Sequence, residues 1–323
     1  MFFTIENAAY ICIFHIKNIE ARPQHNNLFV HLHQIWIMNK IVLIIYCSII
    51  AFFASCADYN RVVKTQDYEY KYEVAKQYYA EGMYNRAALL IQDILSVLKG
   101  TDQGEESLYL SGLCNMKAHS YDAAATIFRK YYQTYPKGKY VEEARFNCGK
   151  SLYMITPEPK LDQTETFQAV TEFQNFIENF PSSKLRPQAQ ELIFKLQDKL
   201  VEKEYLSAKL YYDLGSYIGN GSNGNYGACI VTAENAIKDY PYTTRRDDFA
   251  ILILRAKFKL AQFSVESKKE ERYHNAIDEY YGFVNEYPES KYMKEAKDLF
   301  NKAKKYVQTT DNTDEDASNA STK

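Results

Sequence analysis

The chain has few of the residues from which most enzyme and metal sites are built. It holds six histidines in 323 residues, and four of them lie in the first 37 positions. The other two, His119 and His274, stand beside predicted turns, where surface histidines are usual. No HExxH, GxSxG, P-loop or GxGxxG pattern occurs, and no CxxC pair gives the spacing of a zinc site. We therefore predict a non-enzymatic protein without cofactor or metal.

Net charge and long apolar runs are also lacking. A formal charge of -2 gives no electrostatic reason to expect nucleic acid as a partner. The apolar run 41–53 is shorter than the roughly 20 residues that span a bilayer. It follows Met38-Asn39-Lys40 and precedes Ala54-Ser55-Cys56, which is the layout of a secretory signal. We predict a translation start at Met38, a signal peptide over 38–55, and an upstream extension over 1–37 that is not part of the protein.

The end of this signal, Phe53-Ala54-Ser55-Cys56, resembles a bacterial lipobox, although the lipobox favours Leu where Phe53 stands. The resemblance implies cleavage before Cys56, which then carries the palmitate-type lipid anchor, with 56–68 as a tether. The alternative is a buried helix that ends in an ordinary cysteine. Three other cysteines follow, an odd number that cannot all pair, and we interpret them as small buried hydrophobic residues: Cys114, Cys148 and Cys229.

Tyrosine is abundant, with 29 residues against a single Trp. Tyr suits positions where a ring packs on one side and meets water on the other, as in stacked helical repeats. Four aromatic-Pro dipeptides mark such a repeat, because small, bulky and aromatic residues recur twelve, eight and five positions before each Pro. The third copy has smaller residues. The four dipeptides are Tyr135-Pro136, Phe180-Pro181, Tyr240-Pro241 and Tyr287-Pro288.

The helix after the Pro begins in a similar way in three copies, with a small residue eight positions on: Ala144, Ala189 and Ala296. A copy without Pro lies upstream, since Tyr84-x2-Ala87 matches Tyr121-x2-Ala124 at a distance of 37 residues. This pattern resembles the tetratricopeptide repeat. It predicts an all-α tetratricopeptide-repeat superhelix of about five helix pairs over 69–306, followed by a disordered polar tail over 307–323. Insertions are expected within pairs at 156–165, 218–225 and 264–272.

A further segment narrows the resemblance. Residues 185–217 have no Pro after Pro187 and no Gly before Gly215, which predicts one long helix carrying Asp198-x-Leu200-x3-Glu204-Tyr205. With the lipobox and the repeats, the chain resembles the BamD-like outer membrane protein assembly factor lipoproteins of Bacteroidota type over 56–306. The resemblance implies a lipid-anchored location on the periplasmic face of the outer membrane. It also implies C-terminal repeats that dock the periplasmic domains of the β-barrel assembly protein, and an N-terminal groove for unfolded barrel precursors.

Two sets of residues are candidates for these contacts. Tyrosines on or near the first helix of repeats one and two are predicted to line the peptide groove, unless they pack between repeats: Tyr72, Tyr78, Tyr79, Tyr109 and Tyr121. The predicted partner contact comprises Arg245, Arg246 and Lys238. Cations are unfavourable at a helix start, so the two arginines are available to carboxylates of another chain, unless they pair with Asp247 and Asp248.

One departure from the family bears on this docking. Proteobacterial members have an Arg linked to coupling with the barrel protein where this chain has Thr232. Two other functions stay open: a nutrient- or glycan-binding outer-membrane lipoprotein, whose sugar site usually needs a larger insertion, and a periplasmic adaptor for cell-wall or division enzymes.

Overall fold

The structure, a computed structural model, describes residues 59–215 and 224–320, side chains up to 308, and four positions near the N-terminus: Trp36, Met38, Lys40 and Val42. Apart from those four, the predicted upstream extension, the signal peptide and Cys56 lie outside the described residues. The chain divides into two units at Lys71 and Tyr72. In the first unit, residues 59–64 are helical within the predicted tether. Across the described residues no helix has both the length and the hydropathy needed to cross a membrane.

All regular structure in the described residues is helical. The first helices of the five pairs, here called A helices, are α1 (Tyr68–Ala80), α3 (Asp102–Lys117), α5 (Val141–Ile155), α7 (Arg186–Leu214) and α9 (Arg246–Gln262). The second, or B, helices are α2 (Tyr84–Ile94), α4 (Tyr121–Thr134), α6 (Thr164–Asn179), α8 (Gly224–Asp239) and α10 (Glu266–Glu286). The last helix is α11 (Met293–Ala320).

The helices pack in chain order. From α2 onward each helix contacts the next one, and α3, α5, α7 and α9 each also contact the helix two further on. The A helices from α3 onward therefore form a continuous row that is closed by α11. This arrangement confirms the predicted all-α tetratricopeptide-repeat architecture with five helix pairs.

The repeated sequence positions form the core. Of the twelve positions counted back from the four prolines, all but the half-buried Tyr280 are buried. The alanines counted forward, Ala144, Ala189 and Ala296, are also without exposed surface. The periodicity read from the sequence is thus the pattern of side chains that hold adjacent helices together.

Two helix crossings are too close for any side chain. A Cβ added at Gly112 of α3 would lie 2.5 Å from Cε1 of Phe128, and one at Gly149 of α5 would lie 2.9 Å from Cε1 of Phe173. Both rings are fully buried. Glycine at these positions allows the A helix to rest directly on an aromatic ring of the B helix.

Two hydrophobic clusters share α7. The first half of this helix contributes Ala189 and Leu196 to a cluster built with α3, α4, α5 and α6. The second half contributes Val201 and Ala208 to a cluster built with α8 and α9. The single helix Arg186–Leu214 confirms the long helix predicted for this segment.

Two segments differ from expectation. The predicted insertion 264–272 is mostly the first two turns of α10, because Glu, Lys and Arg are good helix formers and Lys269 lies 2.8 Å from Glu266. The helix α11 continues to Ala320, through most of the segment expected to be disordered; once a helix is nucleated, each further residue is added at little cost. The predicted insertion 218–225 lies outside the described residues up to position 223, and its last two residues begin α8.

Candidate partner-binding surfaces

The tyrosines predicted to line a peptide groove are largely engaged in packing. Tyr72 and Tyr78 are buried, and Tyr79, Tyr109 and Tyr121 are half-buried. The Tyr109 ring stacks on Tyr140 with centroids 4.5 Å apart. The Tyr79 ring meets the Tyr84 ring edge-on at 5.6 Å, and Nδ1 of His119 lies 2.6 Å from the hydroxyl of Tyr121.

Burial also affects the titration of three of these hydroxyls. It raises the pKa of Tyr72 and of Tyr79, and raises that of Tyr109 to about 12. For Tyr72 a hydrogen bond with Glu106 acts in the same direction. Packing between repeats, the alternative left open by the sequence, therefore describes much of this set. Contact with a peptide through the half-buried rings stays a prediction.

A groove that sequence reasoning missed lies between the B helices α2 and α4. Its floor is one stripe of α3, because the positions recur at intervals of four, three and four: Gly104, Leu108, Ser111 and Asn115. Two adjoining parts, about 590 Å³ and 410 Å³, share Gln92, Leu95, Leu108 and Lys130. The walls also include Asn85, Ala88, Leu89, Ser96, Lys99, Ala123, Ile127, Thr134 and Tyr135. In the sequence, the small residues Gly104 and Ser111 at helical spacing were the signal that could have indicated this groove.

The corresponding space in the next repeat is occupied by a polar cluster that joins α4 to α6. Arg129 donates to Oε1 of Glu172 from Nε at 3.2 Å and from Nη2 at 3.0 Å. The Tyr132 hydroxyl donates to the same carboxylate at 3.1 Å. The guanidinium of Arg145, on α5, lies 4.3 Å from the centre of the Tyr132 ring. The Glu172 side chain is 11% exposed, so this cluster directly connects two B helices.

The two spaces are built from equivalent positions. Each member of the polar cluster aligns with a groove residue when the repeats are superimposed in sequence. The offset is 37 residues, as between repeats one and two, for the first three members, and 45 residues, as between Pro136 and Pro181, for Glu172. Arg129 and Tyr132 correspond to Gln92 and Leu95; Arg145 and Glu172 correspond to Leu108 and Ile127. The junction of repeats one and two therefore has uncharged side chains where the junction of repeats two and three has its ionic bridge, and the space between α2 and α4 stays open.

The predicted arginines of the α8–α9 turn have partners within the chain. Arg245 donates from Nε to Oδ2 of Asp248 at 3.0 Å and also bonds to Glu202, and its guanidinium lies 3.9 Å from the Tyr205 ring centre. Arg246 bonds to Glu286 and donates to the Pro241 carbonyl at 3.1 Å. Local pairing, the alternative that the sequence left open, is therefore observed between Arg245 and Asp248.

The neighbouring carboxylates fasten this turn to the residues that directly precede α11. The Tyr292 hydroxyl donates to Oδ1 of Asp248 at 2.7 Å, and Nζ of Lys291 lies 3.0 Å from the same oxygen. Burial alone would raise the pKa of Asp248, but hydrogen bonds from Tyr292, Lys291 and Arg245 outweigh it and hold the pKa below its usual value. Asp247 accepts a hydrogen bond from the Ser290 hydroxyl at 2.8 Å.

The most exposed feature of this turn is Tyr242, whose side chain is 97% exposed. The turn itself is fixed, because Thr243 donates its amide to the Tyr240 carbonyl at 3.1 Å and its hydroxyl accepts from the Arg245 amide. The equivalent position in the other three turns is polar: Lys137, Ser182 and Glu289. Lys238 is exposed nearby in sequence, and Thr232 is half-buried on α8. Sequence reasoning missed Tyr242, although the aromatic residue at this turn position was visible.

Among the described residues, no three His, Cys, Asp or Glu side chains are placed to bind a metal ion together. The three described cysteines, Cys114, Cys148 and Cys229, are buried and unpaired with one another.

Comparison with known proteins agrees with the architecture. The family described as outer membrane lipoprotein matches residues 64–221, from the start of the repeats to just beyond α7. The outer membrane protein assembly factor BamD of Pasteurella multocida (strain Pm70) is 20% identical over 185 residues, which are 54% of this chain and 71% of that protein. Together with the five helix pairs and the long α7, these similarities support a BamD-like protein.

Proposed function

We propose that this protein is a lipid-anchored scaffold of the outer-membrane β-barrel assembly machinery, located on the periplasmic face of the outer membrane. It binds the periplasmic domains of the barrel-assembly protein and incoming barrel precursors. The observation that supports this most is the coincidence of the outer membrane lipoprotein match with three consecutive helix pairs and the complete α7. Copurification from membranes after mild detergent extraction tests it. Recovery of the wild-type protein without any barrel-assembly protein would refute the proposal.

The lipid anchor is proposed at Cys56, after cleavage of the signal over 38–55. Metabolic labelling with a fatty-acid analogue should tag the wild-type protein and not Cys56→Ala. Cys114→Ala is the matched control, since Cys114 is a buried core residue and its loss should leave labelling intact. A labelled, membrane-bound Cys56→Ala variant would exclude this anchor.

Docking to the barrel-assembly protein is proposed on repeats four and five, around the α8–α9 turn. Arg245 and Arg246 belong to the predicted contact. Because both form ion pairs within the chain, they fix the conformation of the turn. The direct contact falls to Tyr242 and Lys238, which are exposed. An aromatic side chain on a rigid turn has few rotatable bonds to restrict, so it suits the centre of an interface.

The test replaces the residue at the same turn position by alanine in two different repeats. Tyr242→Ala should reduce the recovery of the barrel-assembly protein by about tenfold or more, as expected for an interface hot spot of about 2 kcal/mol. Lys137→Ala, at the equivalent position between α4 and α5, should leave recovery unchanged. Both residues are exposed, so both variants should melt like the wild type. Undiminished recovery of Tyr242→Ala would remove this turn from the interface.

Precursor binding is proposed on repeats one and two, through the half-buried rings of Tyr79 and Tyr109 on A helices and of Tyr121 at the start of α4. A photo-crosslinker in place of Tyr121 should capture barrel precursors with aromatic C-terminal residues. The control places the same crosslinker at Gln174, an exposed position on the B helix α6. Equal yields from both positions would contradict a specific surface.

A further inference from the structure

The open groove between α2 and α4 has the properties of a binding site, and none of the five predicted groove tyrosines lines it. Its floor is buried, with Leu108 and Ser111 each 4% exposed. Its rim is accessible, since the side chains of Gln92 and Lys130 are exposed and Leu89 is 58% exposed. A groove with a buried floor and an accessible rim can exclude water from one side of a ligand along its length.

The dimensions of the groove fit a short extended peptide. Its floor runs along α3 from Gly104 to Asn115, which is about 16 Å at 1.5 Å per helical residue. An extended chain covers that distance with about five residues at 3.3 Å each. Alternate side chains of such a segment point the same way, so two or three of them would face Leu95, Leu108 and Ile127.

The polar groups along the groove favour an extended segment over a helix. An extended chain has backbone N–H and C=O groups that need partners, whereas a helix satisfies its own. The amide side chains of Asn85, Gln92 and Asn115 line the same space and can both donate and accept. Asn115 already donates from Nδ2 to the Ser111 carbonyl at 2.8 Å, which fixes the amide and leaves its oxygen to accept.

Charge gives the groove a direction. Lys99 and Lys130 both line the part of the groove that Gly104 floors. Among the described residues that line the two parts, none is acidic. A carboxylate on the ligand would therefore meet two cations at this end and no like charge along the groove.

We propose that the α2–α4 groove binds an extended segment of a partner polypeptide, about five residues long, with alternating apolar side chains and one or two Asp or Glu residues at the Lys99 and Lys130 end. The equivalence with the next repeat supports this assignment, because the Arg129–Glu172 bridge occupies there the space that repeat one leaves open. This site goes beyond the proposed assembly function and does not depend on it.

The test measures fluorescence anisotropy of a labelled, C-terminally amidated peptide of alternating Leu and Ser that ends in two Asp. Saturable binding to the full chain is expected. Lys99→Glu combined with Lys130→Glu should weaken it by about tenfold or more. The same variant should bind a peptide that ends in two Lys more tightly than the wild type does. Ala123→Trp, at an exposed rim position, should block both peptides.

The control is the charge-matched pair Lys184→Glu with Lys294→Glu, two exposed lysines outside the groove, which should bind the acidic peptide like the wild type. Circular dichroism and melting of each variant establish that it is folded. Absence of saturable binding to the wild type would overturn the proposal. Unchanged binding by the folded groove variant, or equal weakening by the control pair, would overturn it as well. All of these measurements use the isolated chain, so failure of barrel-assembly copurification is a separate result.

Discussion

The contact between Gly112 and Phe128 makes a stability prediction whose sign depends on two opposing effects. In an unconstrained helix interior, Gly→Ala stabilises by about 1 kcal/mol, because alanine loses less backbone entropy on folding. At Gly112 the new Cβ would lie 2.5, 2.7 and 2.8 Å from Cε1, Cδ1 and Cζ of Phe128. Real Cβ atoms essentially never come that close, so the ring or the helix must move.

The ring has little room to move. Phe128 has no exposed surface, and its centroid is 5.9 Å from that of Tyr109. Overpacking a closed core costs about 1–3 kcal/mol and can exceed this when rigid groups meet. Subtracting the helix gain of about 1 kcal/mol from a cost near the upper end of that range, we expect Gly112→Ala to destabilise the protein by about 1–2 kcal/mol.

Gly282→Ala is the matched control, since Gly282 lies inside α10 with nothing within 4 Å of an added Cβ. It should stabilise by about 0.5–1 kcal/mol. Urea unfolding followed by circular dichroism measures both variants. Phe128→Leu should reduce the penalty of Gly112→Ala in a double-mutant cycle. If Gly112→Ala were as stable as Gly282→Ala, the close contact between helix and ring would be refuted.

Three further predictions concern buried polar groups and thiols. Because the pKa of Asp248 is lowered in the folded protein, this residue contributes stability above about pH 4 that is lost as the pH falls through the folded pKa. In a plot of unfolding free energy against pH, Asp248→Asn should therefore lose less stability at acid pH than the wild type does. An unchanged loss at acid pH would contradict this. Glu172→Gln should cost about 1–2 kcal/mol in urea unfolding, as the partly exposed Arg129 loses a charged hydrogen-bond partner, and no loss would remove the bridge from the stability of repeats two and three. Burial raises the pKa of Cys114, Cys148 and Cys229 to about 12, so alkylation read by peptide mass spectrometry should occur in urea and not in the native protein, and native labelling would contradict their packing.

The architecture could be predicted from the sequence because the repeat pattern depends on residues that are close together in the chain. Each small residue that lies on a ring, such as Gly112 on Phe128, recurs at fixed spacing, and each Pro ends a helix by removing a donor. The tail and the insertion at 264–272 were less predictable. Helix propagation from an existing helix depends on what precedes the segment, and composition alone does not show that.

The surfaces were harder to predict than the core. Whether Arg245 is available depends on Glu202, 43 positions away, which only the packing of α7 against α9 brings close. The α2–α4 groove exists because four positions in repeats one and two are uncharged where their equivalents in repeats two and three form the polar cluster. That difference appears only after the repeats are aligned and the contacts of one of them are known. Exposure of Tyr242 could have been proposed from the turn pattern, by comparison with Lys137, Ser182 and Glu289.

The long α7 has a consequence for how the protein responds to stress. Ala189 and Leu196 belong to one hydrophobic cluster, and Val201 and Ala208 belong to the other. The continuous backbone hydrogen bonding of α7 therefore connects two hydrophobic cores. Melting either core removes packing from half of this helix, and fraying at its middle weakens both. The length of uninterrupted helix between Leu196 and Val201 thus sets the cooperativity of unfolding between the front and back repeats. A glycine pair inserted there would turn one thermal transition into two.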